Sequence, residues 1–187
     1  MNVLINELKK LGELSVKEEE LLTNKIKSLK KTKGDFLLRK GKKYSCLFVL
    51  ETGLVRGFFE KNGKEVNSWF GFENELLGSL LPIFGNKSSK ENIQFLEDST
   101  LYYIESNDLQ KLYLTIPNLN LIGRKALEQF CLVLEERIIS LQTETAEVRY
   151  KALMQTYPFI NQRISLGHIA SYLGITQETL SRIRQKL

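Results

Sequence analysis

The polar side chains near the end of the sequence are of the types that form hydrogen bonds with nucleic-acid bases and phosphates. They are Thr176, Gln177, Glu178, Ser181, Arg182, Arg184 and Lys186. Arginine pairs with the edge of guanine, glutamine pairs with adenine, and glutamate accepts from cytosine. The positive charge of Arg184 and Lys186 favours phosphate instead. This set predicts contacts with double-stranded DNA, in which Glu178 and Arg182 are the best candidates for reading bases.

Two short helices joined at a glycine must hold these side chains, in the segment IASYLGITQETLSRIRQKL. A helix-turn-helix unit needs a small residue where its helices touch and a residue tolerant of positive φ in the turn. Ala170 and Gly174 have these properties, and Thr176 is suited to cap the second helix. Apolar residues lock the second helix onto the first, and they are Ile169, Leu173, Ile175, Leu180 and Ile183. The alternative is an ordinary helical hairpin whose polar face is solvated.

A long helix is predicted after Pro117, because about 25 residues follow without another proline,. Its apolar stripe is too wide for one partner surface, so part of it is expected to face a second copy of the chain. The predicted dimer contacts are Leu127, Phe130, Leu134, Ile138 and Leu141. Helix-turn-helix units usually bind in pairs to half-sites ~34 Å apart, which favours this dimer. The alternative is a helix packed wholly within its own subunit.

Short apolar runs separated by glycine turns predict β-strands from about residue 33 to residue 105,. Asn62-Gly63 is the strongest hairpin signal in this region. Regular short strands punctuated in this way favour a β-sandwich or barrel.

Two helices are predicted on either side of the strands. Ser15 and Glu18 form a capping box, and apolar residues continue from there at helical spacing to Leu29,. Asn107 is expected to cap a short helix that ends before Pro117,.

The composition is that of a globular protein, with 187 residues, 42% of them hydrophobic, and a net charge of +5. The first residues lack the apolar region of a signal peptide, and no apolar run is long enough to span a bilayer. A cytoplasmic protein without a membrane partner is therefore expected. The single histidine and the isolated Cys46 and Cys131 provide no metal set or catalytic pair, so neither a cofactor nor enzymatic activity is expected,. Both thiols are expected to be reduced and buried.

The order of these elements resembles that of the cyclic-AMP receptor protein and fumarate-nitrate regulator (Crp/Fnr) family of bacterial transcription factors. The segments that carry the resemblance are KGDFLLRKGKKYSCLFVLETGLVRGFF, NGKEVNSWFGFENELLGSL and IASYLGITQETLSRIRQKL. The last segment and the short length are similar to members from the Bacteroidetes. The implied fold is α+β, with an N-terminal jelly-roll (double-stranded β-helix) sensor domain and an all-helical DNA-binding domain. The expected boundaries are residues 1–117 for the sensor, 118–142 for the dimerisation helix and 143–187 for the helix-turn-helix domain.

The ligand pocket that the resemblance implies departs from the pattern of cyclic-nucleotide binders. Those members hold the ribose with a Gly-Glu pair and the cyclic phosphate with an arginine eleven residues after the glycine. Here Gly78 is followed by Ser79 and Leu80, and the arginine position is Ser89, next to Lys90. A lysine lacks the paired hydrogen bonds of arginine. Cyclic AMP is therefore not the expected ligand, and the alternatives are another small effector or no small ligand.

The resemblance places the family's base-contacting arginine, glutamate and arginine at Gln177, Glu178 and Arg182. The operator is expected to differ from the best-known family consensus where Gln177 replaces the first arginine. Longer members carry a β-hairpin wing after the recognition helix, where this sequence ends, so DNA affinity is expected to depend steeply on salt.

The predicted function is that of a homodimeric, sequence-specific DNA-binding transcriptional regulator. Its expected partners are an operator DNA, a second copy of the chain, RNA polymerase and an unidentified small effector. The alternative is a ligand-binding or protein-interaction module of the same fold with little operator specificity.

Overall fold

The computed structural model describes residues 2–186, which form two compact units. The helices are α1 (Val3–Leu11), α2 (Val16–Thr23), α3 (Leu80–Phe84), α4 (Ser106–Thr115), α5 (Pro117–Thr143), α6 (Ala146–Thr156), α7 (Ile160–Arg163), α8 (Leu166–Leu173) and α9 (Gln177–Gln185). The strands are β1 (Lys27–Lys31), β2 (Phe36–Leu38), β3 (Cys46–Thr52), β4 (Val55–Lys61), β5 (Lys64–Gly71), β6 (Asn92–Phe95) and β7 (Ser99–Glu105). The first unit contains the chain up to Gly57 together with Phe70–Gln129, and the second contains Phe58–Trp69 together with the chain from Phe130 onward.

The strands form a three-stranded sheet in the order β1-β7-β3 and a four-stranded sheet in the order β2-β6-β4-β5. β7 pairs antiparallel with both of its neighbours, so that Leu101 lies opposite Leu29 on one side and Leu50 on the other. In β3, Phe48, Val49 and Leu50 are all fully buried. Both faces of this strand are therefore covered, as for a sheet that packs on helices with one face and on the core with the other.

A layer of helices in the first unit packs on the three-stranded sheet. Buried side chains of α1, α2, α4 and the start of α5 join residues of β3 and β7 in one apolar cluster. Its members are Leu4, Leu8, Leu14, Leu22, Val49, Ile83, Ile104, Leu109, Leu112, Ile116, Leu119 and Ile122. The first turns of α5 thus belong to the core of the first unit.

The helix predicted after Ser15 begins as expected but is shorter. The Ser15 backbone N–H donates to the Glu18 carboxylate at 2.8 Å, and the Glu18 N–H donates to the Ser15 hydroxyl at 3.3 Å, which confirms the capping box. α2 ends at Thr23, however, so the prediction of a helix to Leu29 is wrong. Residues after this point form β1, because pairing with β7 outweighs the local helical spacing,.

The hairpin prediction at Asn62-Gly63 is correct, whereas the helix-cap prediction at Asn107 is wrong. Asn62 and Gly63 have φ values of 51° and 74° and join β4 to β5, which confirms the hairpin,. Asn107 does not cap a helix, because α4 begins at Ser106 and its N-cap is Glu105.

No helix among residues 2–186 is long and apolar enough to span a membrane.

Candidate nucleic-acid interface and ligand pocket

The turn between α8 and α9 in the second unit has the geometry of a helix C-cap built on glycine. Gly174 has a φ of 71°, a left-handed conformation that a side chain would strain,. The Gly174 N–H donates to the Ser171 carbonyl at 3.2 Å, and the Ile175 N–H donates to the Ala170 carbonyl at 3.0 Å. These bonds form a Schellman motif. Ala170 is 2% exposed, in keeping with a residue at a close helix contact.

Helix α9 presents its polar residues to solvent while Leu180 anchors it. Leu180 is fully buried, and the Thr176 hydroxyl accepts from the Thr179 N–H at 3.2 Å, so Thr176 caps the helix as predicted,. Ser181 is half-buried, and the remaining predicted DNA-contacting side chains are exposed, namely Gln177, Glu178, Arg182, Arg184 and Lys186. The structure therefore brings the predicted set together on α9 and its two cap residues, Thr176 and Lys186.

The Glu178 carboxylate is held in its charged form at the start of α9. A hydrogen bond from its own backbone N–H lowers the pKa of the Glu178 carboxyl, and the Thr176 hydroxyl and the Arg182 charge act in the same direction. An ionised carboxylate is only a hydrogen-bond acceptor. At neutral pH, Glu178 therefore suits the amino group of cytosine.

A hairpin contact of α8 was not predicted from the sequence. The backbone N–H of Asn67 in β5 donates to the Ser171 hydroxyl at 3.0 Å, and that hydroxyl donates to the Glu65 carbonyl at 3.0 Å. The Asn67 side-chain amide donates to the His168 carbonyl at 3.3 Å, and Asn67 is only 3% exposed. The β4–β5 hairpin thereby holds the first helix of the helix-turn-helix.

Asn67→Ala is expected to lower the free energy of unfolding by about 1–3 kcal/mol, because it removes a buried amide and its hydrogen bond. Chemical denaturation measures this change. Lys64→Ala, at an exposed position of the same strand, is the matched control and is expected to change stability by less than about 0.5 kcal/mol. Equal effects of the two substitutions would contradict a stabilising role for the Asn67 amide.

The second half of α5 exposes an apolar face. The predicted dimer contacts are between 37% and 56% exposed, and they are Leu127, Phe130, Leu134, Ile138 and Leu141. α5 contains 27 residues and is therefore about 40 Å long. Cys131 on the same helix is exposed, so the prediction that both thiols are buried is wrong for this residue. The prediction fails at Cys131 because the apolar side of α5 around this residue is exposed.

The predicted ligand pocket in the first unit is closed by its own hydrogen bonds. Ser79 and Ser89 are each 3% exposed. The Ser79 hydroxyl donates to the Glu91 carboxylate at 2.7 Å, and the Ser89 hydroxyl donates to the Glu91 carbonyl at 2.8 Å. The Glu91 N–H donates back to the Ser89 hydroxyl at 3.1 Å. Ser79 and Ser89, which stand where cyclic-nucleotide binders have a glutamate and an arginine, thus form a hydrogen-bond network with Glu91.

The other residues of the predicted pocket lie around this network. A Cβ on Gly78 would lie 2.5 Å from the Ile83 side chain and 3.0 Å from the Cys46 carbonyl, so a larger residue there would require Ile83 to move. Leu80 is half-buried, and Lys90 is exposed. Lys90 is therefore not a buried counter-ion for an anion.

The apolar interior near Cys46 leaves little space. A cavity of about 10 Å³ is lined by Leu37, Leu38, Tyr44, Ser45, Cys46, Phe48 and Ile93. This volume is close to the minimum that one water needs.

Burial, assisted by the Glu105 carboxylate, raises the pKa of the Cys46 thiol to about 12, so this thiol stays protonated at neutral pH.

Comparison with known proteins gives a domain family and several relatives. Residues 29–115 match the family described as cyclic nucleotide-binding domain. The transcriptional activator protein Anr of Pseudomonas protegens is 28% identical over 81% of this chain, and the match covers 66% of the Anr protein. The chain thus spans just under two thirds of the length of this curated relative.

Solved structures share the fold. FixK2 from Bradyrhizobium japonicum has a TM-score of 0.71 at 17% identity, covering 87% of this chain and 84% of FixK2. A CooA mutant from Carboxydothermus hydrogenoformans has a TM-score of 0.69 at 20% identity, covering 100% of this chain and 84% of CooA. These matches confirm the predicted fold class, with its jelly-roll domain, long helix and C-terminal helices.

Proposed function

We propose that this chain, a homologue of the Crp/Fnr family of transcriptional regulators, is a sequence-specific DNA-binding regulator that acts as a homodimer. The observation that carries the proposal is the helix-turn-helix. Its glycine turn and buried Leu180 fix α9, while Glu178 and Arg182 stay exposed on that helix. The chain is not an enzyme, in keeping with its relatives.

The residues of α9 divide between bases and phosphates. Arg182 presents a planar fork suited to guanine, and the ionised Glu178 suits cytosine,. Gln177 suits adenine, so the operator differs from one read by arginine at this position. Arg184 and Lys186 add positive charge near the end of the helix and contact phosphates,.

The exposed face of α5 supports the homodimer. Its apolar side chains recur at spacings of three and four residues over more than two helical turns, which is the pattern of a coiled-coil seam. A second copy of the same helix has the matching pattern, and a two-fold dimer presents two α9 helices to two half-sites.

An unbiased selection from random duplex DNA tests the proposal. We expect enrichment of a palindrome whose half-sites are separated by one helical turn. Failure of the folded dimer to enrich any sequence would contradict it. That result would favour the alternative predicted from the sequence, a ligand-binding or protein-interaction module with little operator specificity.

The sensor domain is proposed to have lost the cyclic-nucleotide contacts of the family. Glu91 accepts hydrogen bonds from the Ser79 and Ser89 hydroxyls. Its carboxylate would also repel the anionic phosphate of a cyclic nucleotide. The expected partners are operator DNA, a second copy of the chain and RNA polymerase in the cytoplasm. Another small effector and no small ligand remain the alternatives.

Cyclic AMP is expected neither to bind nor to stabilise the protein. A ligand at 100 times its dissociation constant would raise the free energy of unfolding by about 2.7 kcal/mol, which thermal denaturation detects easily. We expect no saturable shift in melting temperature and no heat of binding in calorimetry. A saturable shift that Ser89→Ala abolishes would show that the pocket does bind the nucleotide.

A further inference from the structure

The glycine turn accounts for two of the last four carbonyl groups of α8. An α-helix ends with four carbonyls that lack intrahelical donors. The Schellman motif satisfies those of Ala170 and Ser171,. The carbonyls of Tyr172 and Leu173 remain, immediately before the glycine turn that leads to α9.

Two arginines from different helices bind these remaining carbonyls. Arg137 of α5 donates from Nη2 to the Tyr172 carbonyl. Arg149 of α6 donates from Nη2 to the Leu173 carbonyl at 2.9 Å and from Nη1 to the Glu144 carbonyl at 2.5 Å. Positive charge at a helix C-terminus also interacts favourably with the helix dipole. The last turn of α8 is therefore fixed to α5 and to α6 at separate points.

Arg137 contacts Tyr172 in a second way. Its guanidinium carbon lies 3.9 Å from the centre of the Tyr172 ring, within the range of a cation–π interaction,. Burial lowers the pKa of the Arg137 guanidinium, and the nearby Arg149 charge lowers it further, but an arginine remains charged at neutral pH,. One side chain thus holds both the carbonyl and the ring of Tyr172.

Arg137 lies beside the apolar face of α5 that is proposed to form the dimer. Arg137 follows Leu134 by three residues and precedes Leu141 by four, so it borders the apolar face of the proposed dimer,. Because Arg137 contacts Tyr172, a rotation of α5 at that face would move the guanidinium and, through it, the end of α8. Arg149 lies on α6, and its contact with α5 is a longer hydrogen bond of 3.5 Å from Nη1 to the Ser140 carbonyl.

We infer that Arg137 is a positioning residue that sets the angle between the long helix and the helix-turn-helix, and thereby the half-site spacing that the dimer recognises. The inference rests on the proposed function and adds a residue that controls spacing, not base identity. The planar fork and the ring contact fix an angle, whereas a lysine supplies only a point charge.

Operators that differ only in the number of base pairs between half-sites test this inference. The wild type is expected to prefer one spacing. Arg137→Met is expected to retain the sequence preference within each half-site but to lose about tenfold of its discrimination between spacings, which is about 1.4 kcal/mol. Arg137→Lys is expected to recover only part of that discrimination. Glu136→Gln, at the exposed neighbouring position, is the control and keeps it.

The outcomes separate this inference from the proposed function. A wild type that enriches no sequence overturns both. A wild type with a spacing preference that Arg137→Met and Arg137→Lys retain in full overturns the inference alone. A variant that loses half-site preference and stability together with spacing, as measured by denaturation, shows a merely structural role and also overturns it.

Discussion

Leu134→Glu combined with Ile138→Glu is expected to convert the protein into a monomer and to abolish binding to a two-half-site operator. The two side chains are 43% and 56% exposed on the apolar face of α5, so a dimer removes about half of each from water. Full burial of such a side chain contributes ~1.5–3 kcal/mol. The four side chains of a dimer therefore contribute about 3–6 kcal/mol, and their loss raises the dissociation constant about 10²- to 10⁴-fold.

Sedimentation and operator binding measure this effect, and α5 itself offers a matched control. Leu132 and Ile139 are 59% and 53% exposed but lie on a different side of the helix. Leu132→Glu with Ile139→Glu is expected to leave the dimer intact. If this control dissociates the dimer and the first variant does not, the assigned face is wrong.

Cys131 provides an independent test of the proposed dimer. Cys131 belongs to a series of residues on α5 that are separated alternately by four and three positions. The series is Leu127, Cys131, Leu134, Ile138 and Leu141. In a parallel pair of helices, equivalent residues of such a series lie opposite each other. Mild oxidation is expected to cross-link the dimer through Cys131, and Cys131→Ser is expected to prevent this. The buried and protonated Cys46 is not expected to react,.

Arg182→Ala is expected to weaken binding to the selected operator by ~1–3 kcal/mol and to relax specificity at one base pair of each half-site. The cause is the loss of paired hydrogen bonds to a base edge. Lys186→Ala, at another exposed cation of the same segment, is expected to weaken binding to all duplexes alike and to reduce the salt slope by about one. Competition binding on operator and scrambled duplexes, each at several salt concentrations, distinguishes the two. Equal effects of both substitutions on all sequences would remove Arg182 from base reading.

Local signals identified the glycine turn and the cap of α9 well. Thr176 caps α9 and Gly174 takes the left-handed conformation as predicted, because capping and turn preferences depend on a few neighbouring residues. The prediction of a helix to Leu29 was wrong for the opposite reason. Its apolar spacing fits a helix, but pairing with a strand more than 60 residues away determines the outcome,.

The contacts that hold the helix-turn-helix were not predictable in the same way. Asn67 lies 104 residues from Ser171 in sequence, and Arg137 lies 35 residues from Tyr172. A single polar residue in a strand or on a helix gives no sign of such a partner. The family pattern located Ser79 and Ser89, but Glu91 has no counterpart in that pattern, so the closed network emerged only from the structure.

The hairpin contact of α8 has a consequence for dissecting the molecule. Residues 58–69 belong to the same compact unit as the C-terminal helices, so no single cut along the chain releases that unit whole. A fragment that begins within α5 would leave the Ser171 hydroxyl and the His168 carbonyl without Asn67. The proposed reading of DNA is therefore expected to require the intact polypeptide, and a minimal binding fragment would need the hairpin returned to it, by insertion or by circular permutation.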